Sequence, residues 1–91
     1  MSTDNIYITL EIELVFPFKK SAETLIEFCN QWQCNVVYVG THKETAKIEI
    51  PWKKFKKIWG HNPHKGDVEI PEGAEFFMKD IRVVDIRTKG A

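Results

Sequence analysis

From Ile6 to Phe16 every second residue is large and apolar. Ile6, Ile8, Leu10, Ile12, Leu14 and Phe16 fall on one side, while Tyr7, Thr9, Glu11 and Glu13 fall on the other. A period of two is that of a strand half-buried in a sheet, because successive side chains point to opposite faces. An alternation this long implies a strand with one face on a core and the other in water or against a partner. Pro17 closes it.

A second stretch, 46–60, joins a strand to a basic helix through one proline. Ala46, Ile48 and Ile50 alternate with Lys47 and Glu49, which predicts a half-buried strand. Pro51 suits the first turn of a helix, where its missing N–H would have had no partner. Trp52, Phe55 and Trp59 then recur at helical spacing with Ile58 beside them, Lys53, Lys54, Lys56 and Lys57 take the other face, and Gly60 is a C-terminal stop.

Between these stretches, Leu25, Ile26, Cys29 and Trp32 follow helical spacing, with Phe28 widening the stripe. A helix over 22–33 is predicted, with Ser21 as N-cap and Glu23 complementing the helix dipole. Residues 34–39 read as a strand from Val36, Val37, Tyr38 and Val39. Residues 40–43 read as a turn into the next strand, so these two strands pair antiparallel. Beyond Gly60, residues 61–67 are a loop by composition. Val68-Glu69-Ile70-Pro71 echoes Ile48-Glu49-Ile50-Pro51, which predicts a short extended segment feeding a helical turn over 71–79, weakened by Gly73. A last strand is predicted over 81–86, then a polar tail over 87–91.

The order strand, helix, strand, strand, helix, loop with an extra turn, strand is that of an α+β, ferredoxin-like split βαβ sandwich. That plan has a four-stranded antiparallel sheet with two helices on one face, and here an extra turn before the last strand. Its core would contain Ile8, Leu10, Ile12, Leu25, Cys29, Ile48, Ile50, Phe55 and Val83. Its open face would show Tyr7, Thr9, Glu11 and Glu13 beside Thr45, Lys47 and Glu49. Residues 1–91 form one domain in this reading, with 1–5 and 87–91 as flexible tails.

Composition bounds the function. With 43% hydrophobic and 29% charged residues the chain is an ordinary globular one, not a disordered one. Its 13 basic and 13 acidic residues cancel, whereas nucleic-acid and membrane-surface binders carry a positive excess. Two cysteines make no disulfide framework, and no apolar run approaches membrane-spanning length. A cytoplasmic protein without a membrane partner is the expectation.

Each chemistry-bearing group has an ordinary reading beside the functional one. Domains of this plan that bind RNA stack bases on aromatics of the central strands. Here the same face offers one tyrosine and three carboxylates, which disfavours nucleic acid. The lysines at 53, 54, 56 and 57 remain as the argument for that alternative, although lysines opposite an apolar stripe are usually a solvated face. His61 and His64 bracket Asn62-Pro63 and make a second alternative, a small metal-binding protein. Structural metal sites need more close ligands than one pair, so no metal or other cofactor is expected. His42 and Cys34 could be imagined as a nucleophilic pair, and Glu11 with Glu13 as acid and base, but open-sheet carboxylates lack the buried setting such work needs. No glycine-rich phosphate loop or nucleophile elbow occurs, so no enzyme is expected. Trp32, Trp52 and Trp59 are expected in the core. Phe16, Phe18, Phe76 and Phe77 flank loops, and joint exposure of two or more would mark a contact patch.

A protein-binding domain is what remains, using Tyr7, Glu11, Glu13, Lys47 and Glu49 on the open face toward a partner protein or a second copy. In its order of elements, with a third strand passing directly into the second helix and a last strand followed by a tail, the sequence resembles the subtilisin propeptide and peptidase inhibitor I9 family. The resemblance implies a protease-inhibitor or propeptide-like module. Its open sheet would pack on the protease, and its tail, here Arg87, Thr88 and Lys89 onward, would enter the active-site cleft. The likeness is one of topology, and residues 61–80 are an insertion that the family's pattern lacks.

Overall fold

A computed structural model describes residues 5–39 and 44–89. The chain is α+β. In order it forms β1 (Ile6–Leu14), α1 (Phe18–Trp32), β2 (Asn35–Val39), β3 (Thr45–Pro51), α2 (Trp52–Trp59), β4 (Gly66–Asp67) and β5 (Met78–Thr88). The strands make one five-stranded antiparallel sheet in the order β2-β3-β1-β5-β4, where four strands were expected. Among the described residues no helix is long and apolar enough to cross a membrane.

β1 is the central strand, and its alternation is realised residue by residue. Ile8, Leu10, Ile12 and Leu14 are buried, and the residues between them are half-buried on the opposite side. The strand stops two residues short of the expected Phe16. The Val15 N–H turns to the carbonyl of Phe77, at 3.1 Å, and Phe16 points into solvent before a cis Phe16–Pro17 bond. All nine residues expected in the core lie in one cluster with Leu14, Ala22, Ala46, Phe77, Met78 and Ile81. Because Leu25 and Cys29 of α1 and Phe55 of α2 share that cluster with β1, both helices cover the same face of the sheet.

Helix α1 begins at Phe18, four residues before the expected Ala22. Ser21 is therefore inside the first turn and not the N-cap. Its buried hydroxyl donates to the carbonyl of Val15, 2.6 Å away, which pins the β1–α1 turn. Glu23 then lies beyond the first turn, so the expected dipole partner is displaced. At the other end Gln33 adopts the left-handed conformation, and the N–H of Cys34 bonds the carbonyl of Cys29 at 3.0 Å, closing the helix. The expected turn over 40–43, with His42, lies outside the described residues.

Helix α2 follows β3 without a loop, Pro51 being extended at φ −62° and ψ 148°. Gly60 ends it at φ +79°, donating to the carbonyl of Lys56 at 2.8 Å. Phe55 is buried and stacks on Trp59, ring centroids 4.5 Å apart. The tryptophans are half-buried at the rim of the core, and Trp59 Nε1 donates to the Glu69 carbonyl at 2.6 Å.

After α2 the chain departs from expectation. The added strand is Gly66–Asp67, inside the expected loop, pairing with Val83 and Arg82. The Val68 N–H extends that contact to the Ile81 carbonyl, and residues 68–70 form no strand of their own. The predicted helical turn over 71–79 is instead a set of tight turns in which the Ala74 N–H bonds Pro71 and the Phe77 and Met78 N–H groups bond Ala74, with Gly73 at φ +84°. β5 is longer than 81–86 at both ends, because β1 offers a partner along its whole length. Arg87 and Thr88, expected in a tail, are its last two residues and pair with Tyr7 and Ile6.

Candidate functional site

The sheet face away from the helices collects the residues predicted for it. Along β1, Thr9 lies between Glu49 and Asp85, Glu11 between Lys47 and Arg82, and Glu13 between Thr45 and Asp80. Tyr7 pairs with Pro51 and Arg87. The five expected partner-binding residues, Tyr7, Glu11, Glu13, Lys47 and Glu49, therefore share one surface. What the sequence did not reveal is the contribution of β5, which brings Asp80, Arg82, Asp85 and Arg87 to the same face.

That contribution changes the electrostatics. The face expected to be acidic is charge-matched, both across strands and along β5. Arg82 donates to Glu11 at 2.8 Å, Lys79 stands 4.0 Å from Glu13, and Arg87 pairs with Asp85 at 2.7 Å. The Arg87 guanidinium holds the Asp85 carboxyl below the usual carboxylate range. Lys89 is no free tail residue. Its N–H bonds the Asn5 carbonyl at 2.7 Å, its Nζ lies 5.0 Å from the centre of the Tyr7 ring, and the same Nζ pairs with Glu49. Glu49 is correspondingly buried, at 7% exposure, although it was predicted on an open surface.

Among the depressions on this face, two lie toward its Glu13 end. One is lined by Glu11, Glu13, Thr45, Asp80 and Arg82. The next shares Glu13 and runs past Leu14, Val15 and Lys79 to Phe16 and Phe18. Around the corner, Phe16 and Phe76 flank a third, floored by Pro17 and Phe77 and edged by Lys20 and Thr24. Phe16 is 78% exposed and Phe76 66%, so two of the four loop-flanking phenylalanines are exposed beside one depression. Phe77 is instead buried, tilted against Phe28 with centroids 4.8 Å apart. A charged sheet face thus grades into an aromatic end through Glu13 and Phe16.

The alternative sites are arranged differently. Lys53, Lys56 and Lys57 are exposed on α2 and Lys54 is half-buried. Lys54 and Lys57 border a shallow depression with Gln31, Trp32 and Ile58 between the helices. His61 and His64 approach with ring centroids 5.7 Å apart, and both place Nδ1 toward the carbonyl of Asn62. Among the described residues no third His, Cys, Asp or Glu joins them to form a metal-sized cluster. Cys29 and Cys34 are free thiols. Cys34 shares the Cys29 carbonyl through its sulfur at 3.7 Å, and hydrogen bonding between the two thiols lowers Cys34 while it raises the buried Cys29. Compared with protein-family models, curated proteins and solved structures, the chain matches none.

Proposed function

We propose that this chain is a non-catalytic protein-binding domain. Its contact surface runs from the charged sheet face over Glu13 to the aromatic end at Phe16 and Phe76. The reading rests on one observation above the others: two large aromatic side chains, Phe16 and Phe76, stand in solvent around a depression edged by α1, and Phe16 also borders the depression that begins at Glu13 on the sheet face. Aromatic anchors beside a polar surface are the composition of interface hot spots and their rims. Glu11 and Glu49 meet basic groups from elsewhere in the chain and Asp85 meets one on its own strand, an arrangement suited to recognition and not to proton transfer. We read the fold as a split βαβ, ferredoxin-like sandwich with a short fifth strand. Support comes from the sheet order of the four long strands, β2-β3-β1-β5, with one helix following β1 and the other following β3.

The inhibitor-like reading keeps the same sheet surface but changes at the tail. With Arg87 and Thr88 in β5 and Lys89 tied to Asn5 and Glu49, the described chain offers the sheet and not a free extension for insertion into a cleft. The test is capture of partners by the immobilised protein, in parallel with Phe16→Ser and with Glu11→Lys/Glu13→Lys. Amide exchange of the captured complex then maps the footprint. Loss of the same partner from both variants, with protection along β1 and β5, is the expected result. Partners retained by both variants, or a footprint confined to α2, would overturn it, and inhibition of a subtilisin-like protease would favour the inhibitor form.

A further inference from the structure

Cys29 and Cys34 face each other across the chain reversal that ends α1. Gln33 takes the left-handed conformation at φ 57° and ψ 40°, and the Cys34 N–H bonds back to the Cys29 carbonyl at 3.0 Å. In a helix stop closed by a bond of that span, the side chains of the two bonded positions meet, ordinarily as an apolar contact. Here both positions are cysteine. The Cys34 Sγ lies 3.7 Å from the same Cys29 carbonyl oxygen, and the two thiols are hydrogen-bonded to each other. With the Cys34 nitrogen 3.0 Å from the Cys29 oxygen, covalent bond lengths leave the α-carbons at most about 7 Å apart even in a straight line. Bond angles bring them closer, within the reach of a disulfide.

We propose that Cys29 and Cys34 form a reversible dithiol–disulfide site, which closes on reaction with a low-molecular-weight disulfide such as oxidised glutathione. Cys34 is partly exposed and is the attacking sulfur, whereas Cys29 is 1% exposed and is the resolving one. The Cys34 thiolate, its proton released to solvent, attacks one sulfur of the reagent. A mixed disulfide forms and one glutathione thiolate leaves. Cys29 then gives up its proton and attacks the Cys34 sulfur, the bond between the two cysteines forms, and the second glutathione leaves. The protein loses two electrons and two protons, and glutathione disulfide is reduced to two thiols. The division of roles follows from the surroundings. The hydrogen bond from Cys29 lowers the Cys34 thiol and favours its thiolate. That same bond is the largest cause raising Cys29, ahead of burial, and it is lost once the Cys34 sulfur is capped and uncharged. The first step therefore releases the second. A buried cysteine by itself is ordinarily inert packing, and it is the accessible partner at the meeting position that distinguishes this one. The pair lies at the end of α1 remote from Phe16, and the inference does not depend on the contact-surface reading.

The test incubates the native protein with reduced and oxidised glutathione at about 1 mM each, followed by acid quenching, alkylation and peptide mass mapping. More than half of the chains should carry an internal Cys29–Cys34 bond. Cys29→Ser should instead accumulate glutathione on Cys34, and Cys34→Ser should react at least about tenfold more slowly than the wild type. The equilibrium constant for closing the bond should exceed that of the same chain unfolded in guanidinium by about tenfold, since the fold holds the two sulfurs together. A native constant at or below the unfolded one would overturn the proposal. So would a wild-type protein that stops at the mixed disulfide, links two chains through Cys34, or does not react. Should either serine variant not fold, the comparison of native with unfolded wild type decides alone.

Discussion

Replacing Lys89 by methionine keeps the length and the apolar stem of the side chain but deletes the charge facing Glu49. The magnitude follows from how unequally the two partners are hydrated: the Glu49 side chain is 9% exposed and that of Lys89 47%. Pairs with both members in water contribute about 0–1 kcal/mol. Removing one member of a fully buried pair costs about 3–5 kcal/mol, because a desolvated charge is left alone. With one carboxylate desolvated and one ammonium half-hydrated, Lys89→Met should cost about 1–2 kcal/mol. A domain of this size loses about 4–8 °C of Tm per kcal/mol, so the fall should be about 4–16 °C. Urea unfolding followed by tryptophan fluorescence, with calorimetry beside it, reads both numbers. Glu49→Gln/Lys89→Met should be the more stable of the two variants, since the stranded charge is gone, and the cycle should give a coupling of about 1 kcal/mol. Because one partner is buried, salt at about 1 M should not erase the difference. A Lys89→Met protein within about 0.3 kcal/mol of the wild type, with no coupling to Glu49, would refute the reasoning and return Lys89 to a free tail.

Three further outcomes are expected. A limiting amount of iodoacetamide should label Cys34 well before Cys29, read by peptide mass spectrometry, because Cys34 is half-exposed with its thiol shifted down while Cys29 is buried and shifted up. Gly60→Ala should lower stability by about 1 kcal/mol in denaturant unfolding. The cost there is conformational alone, since Gly60 sits at φ +79° and nothing lies within 4 Å of an added Cβ. Asp85 has a depressed folded-state pKa, so its contribution is present above the unfolded carboxylate value of about 3.9 and is lost as pH falls through the lower folded value. Asp85→Asn should therefore flatten the acid limb of the stability–pH profile below about pH 4, and an unchanged limb would count against the Arg87 pairing.

How much of this was legible depends on whether the signal was local. β1, β3 and α2 were readable because their periodicities are unbroken and Pro51 and Gly60 mark the ends of α2. The nine core positions followed from those stripes, and all are buried. The start of α1 was misplaced because Ser21 looks like a cap from its neighbours alone, while its real acceptor, the Val15 carbonyl, belongs to the turn before the helix. β5 was read short at its two ends, where Met78-Lys79-Asp80 and Arg87-Thr88 show no apolar alternation, and the alternation is also broken inside it at Val83-Val84. The interruption is a register shift between Leu10–Val83 and Thr9–Asp85, which only the pairing with β1 reveals. β4 has two residues and no periodicity to show. For the site, the outward residues of β1 and β3 were legible from alternation. Arg82, Arg87 and Lys89 reach the same face through contacts 71, 80 and 40 positions apart, of which Arg82–Glu11 and Lys89–Glu49 are side-chain bonds and Arg87–Tyr7 a register pair. Separations of that size leave no mark on local composition.

The charge-matching of the sheet face also decides where binding energy can come from. A carboxylate such as Glu11 already has its Arg82, so a partner offering another cation must either share that bond or displace it, and the net gain is small. The matched charges fix orientation and register more than affinity. Phe16 and Phe76 are in the opposite condition, with large apolar areas in water and depressions beside them. Covering an aromatic ring stabilises a complex by about 1.5–3 kcal/mol for the side chain, without a prior partner to lose. Affinity should therefore reside at the aromatic end and selectivity on the sheet. Phe16 belongs to both, since it closes the alternation of β1 and borders the depression that begins at Glu13. On the proposed reading, the strand that organises the core by its inward residues would carry the contact surface on its outward ones, and its expected last apolar residue, Phe16, turned out of the core, would be the point where the two meet.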